Sequence, residues 1–263
     1  MPQGPLACRQ KLLIRITDWV RAVCLFFLLF LGLQIFNAFP TLHVGKEPGF
    51  DHDNAILEIG AVESAGKLRG VTRVLGIELE TTGFLGLSGG KVRAFPPALT
   101  IPFKISLATG RSIHFFFASV LVMTLTLWLA GLAVNGLLRQ MKPAPADLSA
   151  LPRDIADHAR LRFHHKESYG PLRKLSYALA RFLALPLMIL TGLAISPGFN
   201  AAASSLLNLF GKRQTARTLH FPSMVAQIGF FVVHLAMILL AGPLNEMRSI
   251  LTGWYCLDGE GDA

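Results

Sequence analysis

The chain has little charge and few cysteines. Asp, Glu, Lys and Arg make up 16% of its 263 residues against 52% apolar ones, and the mean hydropathy is +0.49. That balance excludes an ordinary water-soluble globule. The three cysteines, Cys8, Cys24 and Cys256, have no mutual spacing that suggests a disulfide, a zinc site or an iron–sulfur cluster. The pattern C-x-x-C-H is missing, which excludes a covalently attached c-type haem. No small-x-small cleavage site follows the first apolar run near Phe36–Phe39, so that run reads as a membrane span and not as a signal peptide. The net charge of +9 is spread over loops and is not gathered on a basic face with interleaved aromatics, so nucleic acid is not an expected partner.

Long apolar runs are what the chain has in abundance. Four of them, Trp19–Phe39, Ile113–Leu138, Leu175–Ile195 and Leu219–Ala241, meet the length needed to cross a bilayer. The expected fold is an all-α membrane protein, one domain over residues 1–263. It is a four-helix bundle with helices at about 14–39, 111–138, 172–195 and 218–241. A long loop, 40–110, joins helices 1 and 2 and holds short β-like pieces at Arg73–Leu79 and Lys91–Phe95. The basic residues follow the positive-inside pattern. Arg9, Lys11 and Arg15 precede helix 1, and Arg139–Lys174 carries eight Lys/Arg against four Asp/Glu. Both termini and the 139–171 loop are therefore expected in the cytoplasm, with the long loop on the outer side. Asp154–Phe163 and Ala201–Phe210 read as surface helices, and Pro186 is expected to kink helix 3. His43, His52, His158, His164 and His165 fall in hydrophilic stretches and are expected to be solvated.

Helix 4 holds two histidines, His220 and His234, fourteen residues apart. At about 1.5 Å per residue they are separated by roughly 21 Å, and fourteen steps of about 100° return them close to one face. One helix thus offers an imidazole near each side of a hydrocarbon core about 30 Å thick. This spacing suits two haems in series, each with a partner histidine from another helix. A membrane histidine can equally be an interhelical hydrogen-bonding group without a metal.

Three helix starts share a spacing: Arg15-x-x-Asp18, Arg111-x-x-His114 and Arg217-x-x-His220. An arginine three residues before a ligand lies on the same face, one turn away. Guanidinium pairs well with carboxylate, so R-x-x-H at a membrane rim suits a haem whose propionates face water. The alternative is an arginine that merely snorkels from a helix end. Helices 2 and 4 both start on the outer side in this topology. His114 and His220 are then at one depth, as the axial pair of an outer haem b. His234 lies toward the inner side, where the start of helix 1 offers Asp18.

These residues resemble the bacterial cytochrome b561 and nickel-hydrogenase b-type cytochrome superfamily, and within it the thiosulfate-reductase-like cytochrome b subunits. The likeness runs through Gly32–Ala38, Thr81–Gly86, Arg111–Ala118, Leu161–Phe163, Leu185–Gly192, Ser196–Gly198, Gln214–Phe221 and Ala241–Tyr255. It implies a four-helix bundle in the bacterial inner membrane with two bis-histidine b haems. It also implies a subunit that passes electrons between the quinone pool and a partner enzyme, often a periplasmic molybdopterin oxidoreductase. His114 and His220 match the outer ligands and His234 one inner ligand, making these three the metal-binding set. Arg15, Asp18, Arg111 and Arg217 complete the cofactor-binding set. The family usually has histidine where this chain has Asp18, and a carboxylate is a poor axial ligand for low-spin haem b. The inner haem is therefore absent, or bound through His234 with a different ligand, or replaced by a proton-transfer role of Asp18 toward a quinone. The leading functional expectation is a cytochrome b electron-transfer subunit with no substrate-converting site of its own. A haem-poor membrane anchor or assembly subunit stands second. A transporter is third, disfavoured by the lack of an inverted repeat.

Overall fold

The computed structural model describes residues 6–8, 12–44, 54–102, 104, 106–134, 144–160, 170–240 and 243–256. In chain order the elements are β1 (Leu6–Cys8), α1 (Leu12–Phe36), β2 (Thr41–His43), β3 (Ala55–Ser64), β4 (Lys67–Val74), β5 (Ile77–Glu80), β6 (Gly86–Ser88) and β7 (Lys91–Arg93). There follow α2 (Leu107–Val134), α3 (Pro145–Ala159), α4 (Pro171–Ile195), α5 (Pro197–Ala202), α6 (Ser204–Leu209), α7 (Arg213–Leu240), α8 (Pro243–Thr252) and β8 (Trp254–Cys256). Four stretches are long and apolar enough to cross a membrane: Arg15–Phe36, Leu107–Val134, Pro171–Ile195 and Arg213–Leu240.

Two of these helices begin a turn or more before their apolar runs. Ser106 precedes α2, with its hydroxyl bonded to Thr109 at 2.9 Å and its carbonyl accepting the Gly110 N–H. α7 opens on the polar Arg213-Gln214-Thr215. A polar first turn is helical without being apolar, so hydropathy does not reveal it. Arg111 and Arg217 consequently sit in the second turn of their helices and not at the first residue. At Pro186, where a kink is expected, α4 carries a π-helical segment at Leu179–Ala184 just ahead of the proline. Such widening is one way a helix absorbs a missing N–H. The Ala180 carbonyl accepts the Gln227 side-chain amide at 2.9 Å. The expected 201–210 helix is instead two short ones, α5 and α6. The amphipathic helix begins earlier than expected, at Pro145, and the expected residues beyond 160 lie outside those described.

The chain forms two compact units. The first gathers Val23–Val122 and Pro186–Met224. Here the expected long loop is a small β structure. β2, β3, β4 and β5 form an antiparallel sheet in that order, and β6 pairs with β7. The expected strand at Arg73–Leu79 is really a hairpin: Val74 pairs with Ile77 across Leu75-Gly76, which have φ of 50° and 82°. Gly86 seats β6 against the sheet. A Cβ there would lie 1.9 Å from the Gly60 carbonyl oxygen, and its φ is +76°. Phe36, Leu42, Ile59 and Ala94 form the buried core that fixes the sheet to the end of α1, with Phe95 and Phe221 packed against them. Burying each large side chain of this kind contributes about 1.5–3 kcal/mol. His43, expected to be solvated, is fully buried in this unit, with its ring 5.8 Å from that of Phe39. β2, the end strand of the sheet beside β3, carries it, a placement that hydropathy alone does not show. His52, His164 and His165 lie outside the described residues, as does the side chain of His158.

The second unit gathers Met1–Ala22, Met123–Leu185 and Val225–Ala263. β1 and β8 tie its two chain ends together, pairing Leu6 with Cys256. α3 docks at the start of α4. Lys174 reaches Asp147 at 3.1 Å, and Asp154 Oδ2 accepts the Leu172 N–H at 2.8 Å. α4 starts Gly170-Pro171 with no side-chain cap of its own, so Asp154 satisfies one of its free amide donors.

Candidate functional site

The first unit brings His114 of α2 and His220 of α7 close enough to interact electrostatically. Each imidazole faces a glycine. A Cβ on Gly32 would lie 3.7 Å from His114 Cε1, and one on Gly192 only 3.1 Å from His220 Cε1. His220 is held from behind. Its Nδ1 lies 2.9 Å from the Met188 carbonyl and 3.1 Å from Thr191 Oγ1. A carbonyl can only accept, so Nδ1 carries the proton and Nε2 presents a lone pair. Thr191 is fully buried, and its hydroxyl donates back to the Leu187 carbonyl at 2.7 Å, leaving its lone pairs for Nδ1. Metal-binding histidines are oriented by this kind of outer bond. His114 lies against the Leu28 carbonyl, and its Nδ1 is buried with no hydrogen-bond partner among the described residues. A buried imidazole nitrogen without a partner is costly unless something ligates it.

The arginines of the two R-x-x-H stretches, Arg217 and Arg111, behave differently from one another. Arg217 donates to the carbonyls of Phe39 and Thr41, the latter at 2.8 Å, and lies over the rings of Phe36 and Phe39. Two of its five N–H groups are spent holding the chain that leaves α1. Thr218 adds a bond to the His43 carbonyl at 2.6 Å. Arg111 lies 5.8 Å above the Phe115 ring and lines an open depression with Leu107, Ala108 and Ser112.

In the second unit the residues single out a different chemistry. Asp18 is ion-paired with Arg21, and Arg181 of α4 approaches it at 3.9 Å. Arg21 is buried, also donates to the Thr17 carbonyl, and lies 4.8 Å above the Trp128 ring. Arg181 sits 5.3 Å from the same indole and 5.0 Å from the Tyr177 ring. His234 meets the Tyr177 hydroxyl at 3.0 Å through Nδ1 and stacks on Phe230, with 1° between the ring planes. Arg15 lies on the same helix as Asp18, one turn earlier. Arg21, Arg181 and Tyr177 escaped the sequence reading. Their signal was there: two arginines inside apolar runs, where a charge needs a partner.

Among the described residues no three His, Cys, Asp or Glu side chains cluster as a bare metal-ion site. A pair of imidazoles, each packed against a glycine, suits a flat metallo-macrocycle instead. No curated protein and no solved structure matches the chain. A family model does match, that of prokaryotic cytochrome b561, over residues 9–253. The match takes in all four candidate spans and both histidine-bearing helices. The chain belongs to the prokaryotic cytochrome b561 family, as a multi-pass membrane b-type cytochrome of electron transfer.

Proposed function

We propose that this chain is the membrane subunit that carries electrons between the quinone pool and a partner oxidoreductase on the outer side, with one b-type haem held between His114 and His220. The observation that carries this reading is the His220 environment. Met188 and Thr191 take up Nδ1, while Gly192 and Gly32, having no side chain, let the two imidazoles lie close against their backbones. The buried Nδ1 of His114 without a partner is a second sign that the residues present fit the group. Haem supplies one-electron transfer when bound. The chain fixes the tautomer of His220, half-buries the pair, and holds the outer end of α7 to the end of α1 through Arg217.

The inner positions do not fit a second bis-imidazole haem. Asp18 is engaged by Arg21, and His234 by Tyr177 and Phe230. Both are committed within the protein. The same observation supports the second reading, a subunit that anchors or assembles a complex and no longer conducts across the whole bilayer.

The test is a reduced-minus-oxidised spectrum with haem quantified per chain. A b-type band that disappears in both His114→Ala and His220→Ala is the expected result, with a single haem per chain that quinol reduces in native membranes. A band unchanged by either substitution rules out the pairing. Purified protein without pigment leaves the anchor reading.

A further inference from the structure

The sheet of the first unit leaves an edge and part of a face uncovered among the described residues. β5 ends the strand order, and all four of its residues are exposed. Its register puts Ile77 opposite Val74 and Leu79 opposite Thr72 on one face, with Glu78 opposite Arg73 and Glu80 opposite Val71 on the other. The apolar side continues into the turn: Leu75 is 73% exposed, Ile77 66% and Leu79 51%.

Leu75 adopts φ 50°. A left-handed conformation costs an ordinary L-residue roughly 1–2 kcal/mol, and tight hairpin turns usually place Asn, Asp or Gly there. A leucine that is both strained and bare in water gains from its side chain only when another surface covers it.

The cover can be deduced in part. Lipid chains would shelter Ile77 and Leu79 but not the free backbone N–H and C=O groups along β5, which have no partner in hydrocarbon. Only another extended chain satisfies the face and the edge together. The polar face narrows its chemistry. Glu58, Glu78 and Glu80 share that face with Lys67, Arg69 and Arg73. Arg73 bonds Glu78 at 2.9 Å and Glu58 at 3.3 Å, whereas Glu80 has Arg69 only at 3.9 Å. The three bases all lie on β4, whereas the edge strand β5 contributes only acids to this face, so residues of an added strand beside Glu78 and Glu80 should be basic.

We propose that β5 is the docking edge for the soluble redox partner, which adds a fifth strand of alternating basic and apolar side chains. This rests on the reading of the chain as an electron-transfer subunit with a partner on the side where α1 ends and α2 begins.

The experiment places a photo-crosslinking amino acid at position 77, 78 or 79 of the full chain in its own host membranes. The b-type band is recorded on the same membranes. Adducts from 77 and 79 should fall within one short segment of a single soluble protein, two residues apart, and those from 78 on the residue between. Glu78→Lys with Glu80→Lys should lower the yield about tenfold or more, because like charges then face each other. The three positions are exposed, so a full band in each variant shows that the fold is kept. With the band intact, adducts to lipid, to a second copy of this chain or to scattered proteins overturn the docking proposal. So does a lack of adducts, or a yield that ignores the charge reversal. A band missing from the unsubstituted chain overturns the electron-transfer reading, and the proposal with it.

Discussion

Thr191→Val is the substitution that interrogates the outer site most directly. Valine keeps nearly the shape of threonine and deletes only the hydroxyl. Thr191 is fully buried, so no solvent replaces that hydroxyl. The Nδ1–H of His220 loses the acceptor at 3.1 Å and keeps the Met188 carbonyl at 2.9 Å. One hydrogen bond of this kind is worth about 0.5–1.5 kcal/mol. Removing the outer partner of a metal-binding histidine typically costs roughly 10–100-fold in affinity. Because Met188 still fixes the tautomer, the low end applies: about tenfold, or ~1.4 kcal/mol. A weaker acceptor on Nδ1 also makes the imidazole a poorer electron donor, so the midpoint potential should rise. The assay is haem transfer to a scavenger in detergent, paired with a redox titration. Thr191→Ser keeps the oxygen and should restore both values. The reasoning is refuted if Thr191→Val folds normally and shows unchanged haem loss and unchanged potential, or if serine does no better than valine.

Three further outcomes follow from the packing. Gly86→Ala puts a methyl 1.9 Å from the Gly60 oxygen at a φ of +76°, so the β6–β7 hairpin should detach, seen as protease cleavage within residues 55–93 while the helical far-UV signal persists. The left-handed conformation alone costs about 1–2 kcal/mol. Asp154→Ala strips the Leu172 N–H of its acceptor and should lower Tm in detergent by the equivalent of about 0.5–2 kcal/mol, as loss of a helix cap does; an unchanged Tm would show that water replaces the carboxylate. The Asp147 carboxyl is held below the usual carboxylate range by the Ala144 N–H and by Lys174. A depressed folded pKa means that this contribution is complete above the unfolded value and disappears as pH falls through the folded one. Protection of the α3 amides against hydrogen exchange, taken relative to the intrinsic rate at each pH, should therefore fall in acid, below the ordinary carboxylate range, and Asp147→Asn should flatten that dependence.

Much of this protein is written in its apolar runs and their punctuation. The four spans and the unusual Asp18 follow from helix period, bilayer thickness and charge distribution, which are local or one-dimensional properties, and the same properties suggest His114 and His220 as one axial pair. Hydropathy placed both helix starts late: α7 opens on the polar Arg213-Gln214-Thr215, and in α2 Thr109-Gly110-Arg111-Ser112 interrupts the apolar residues that begin at Leu107. The long segment between α1 and α2 looked like loop because glycines and prolines punctuate it. Its sheet exists through pairings up to the β3–β4 register and through close contacts that only Gly70 and Gly86 allow. The burial of His43, the use of Arg217 to hold Phe39 and Thr41, the Met188–Thr191 clasp on His220, and the Arg21–Asp18–Arg181 group join residues far apart in the chain. Period and composition determine which residues enter the membrane and at what depth. Which side chain meets which depends on how neighbouring helices rotate and on which backbone carbonyls they expose, and tertiary packing alone decides that.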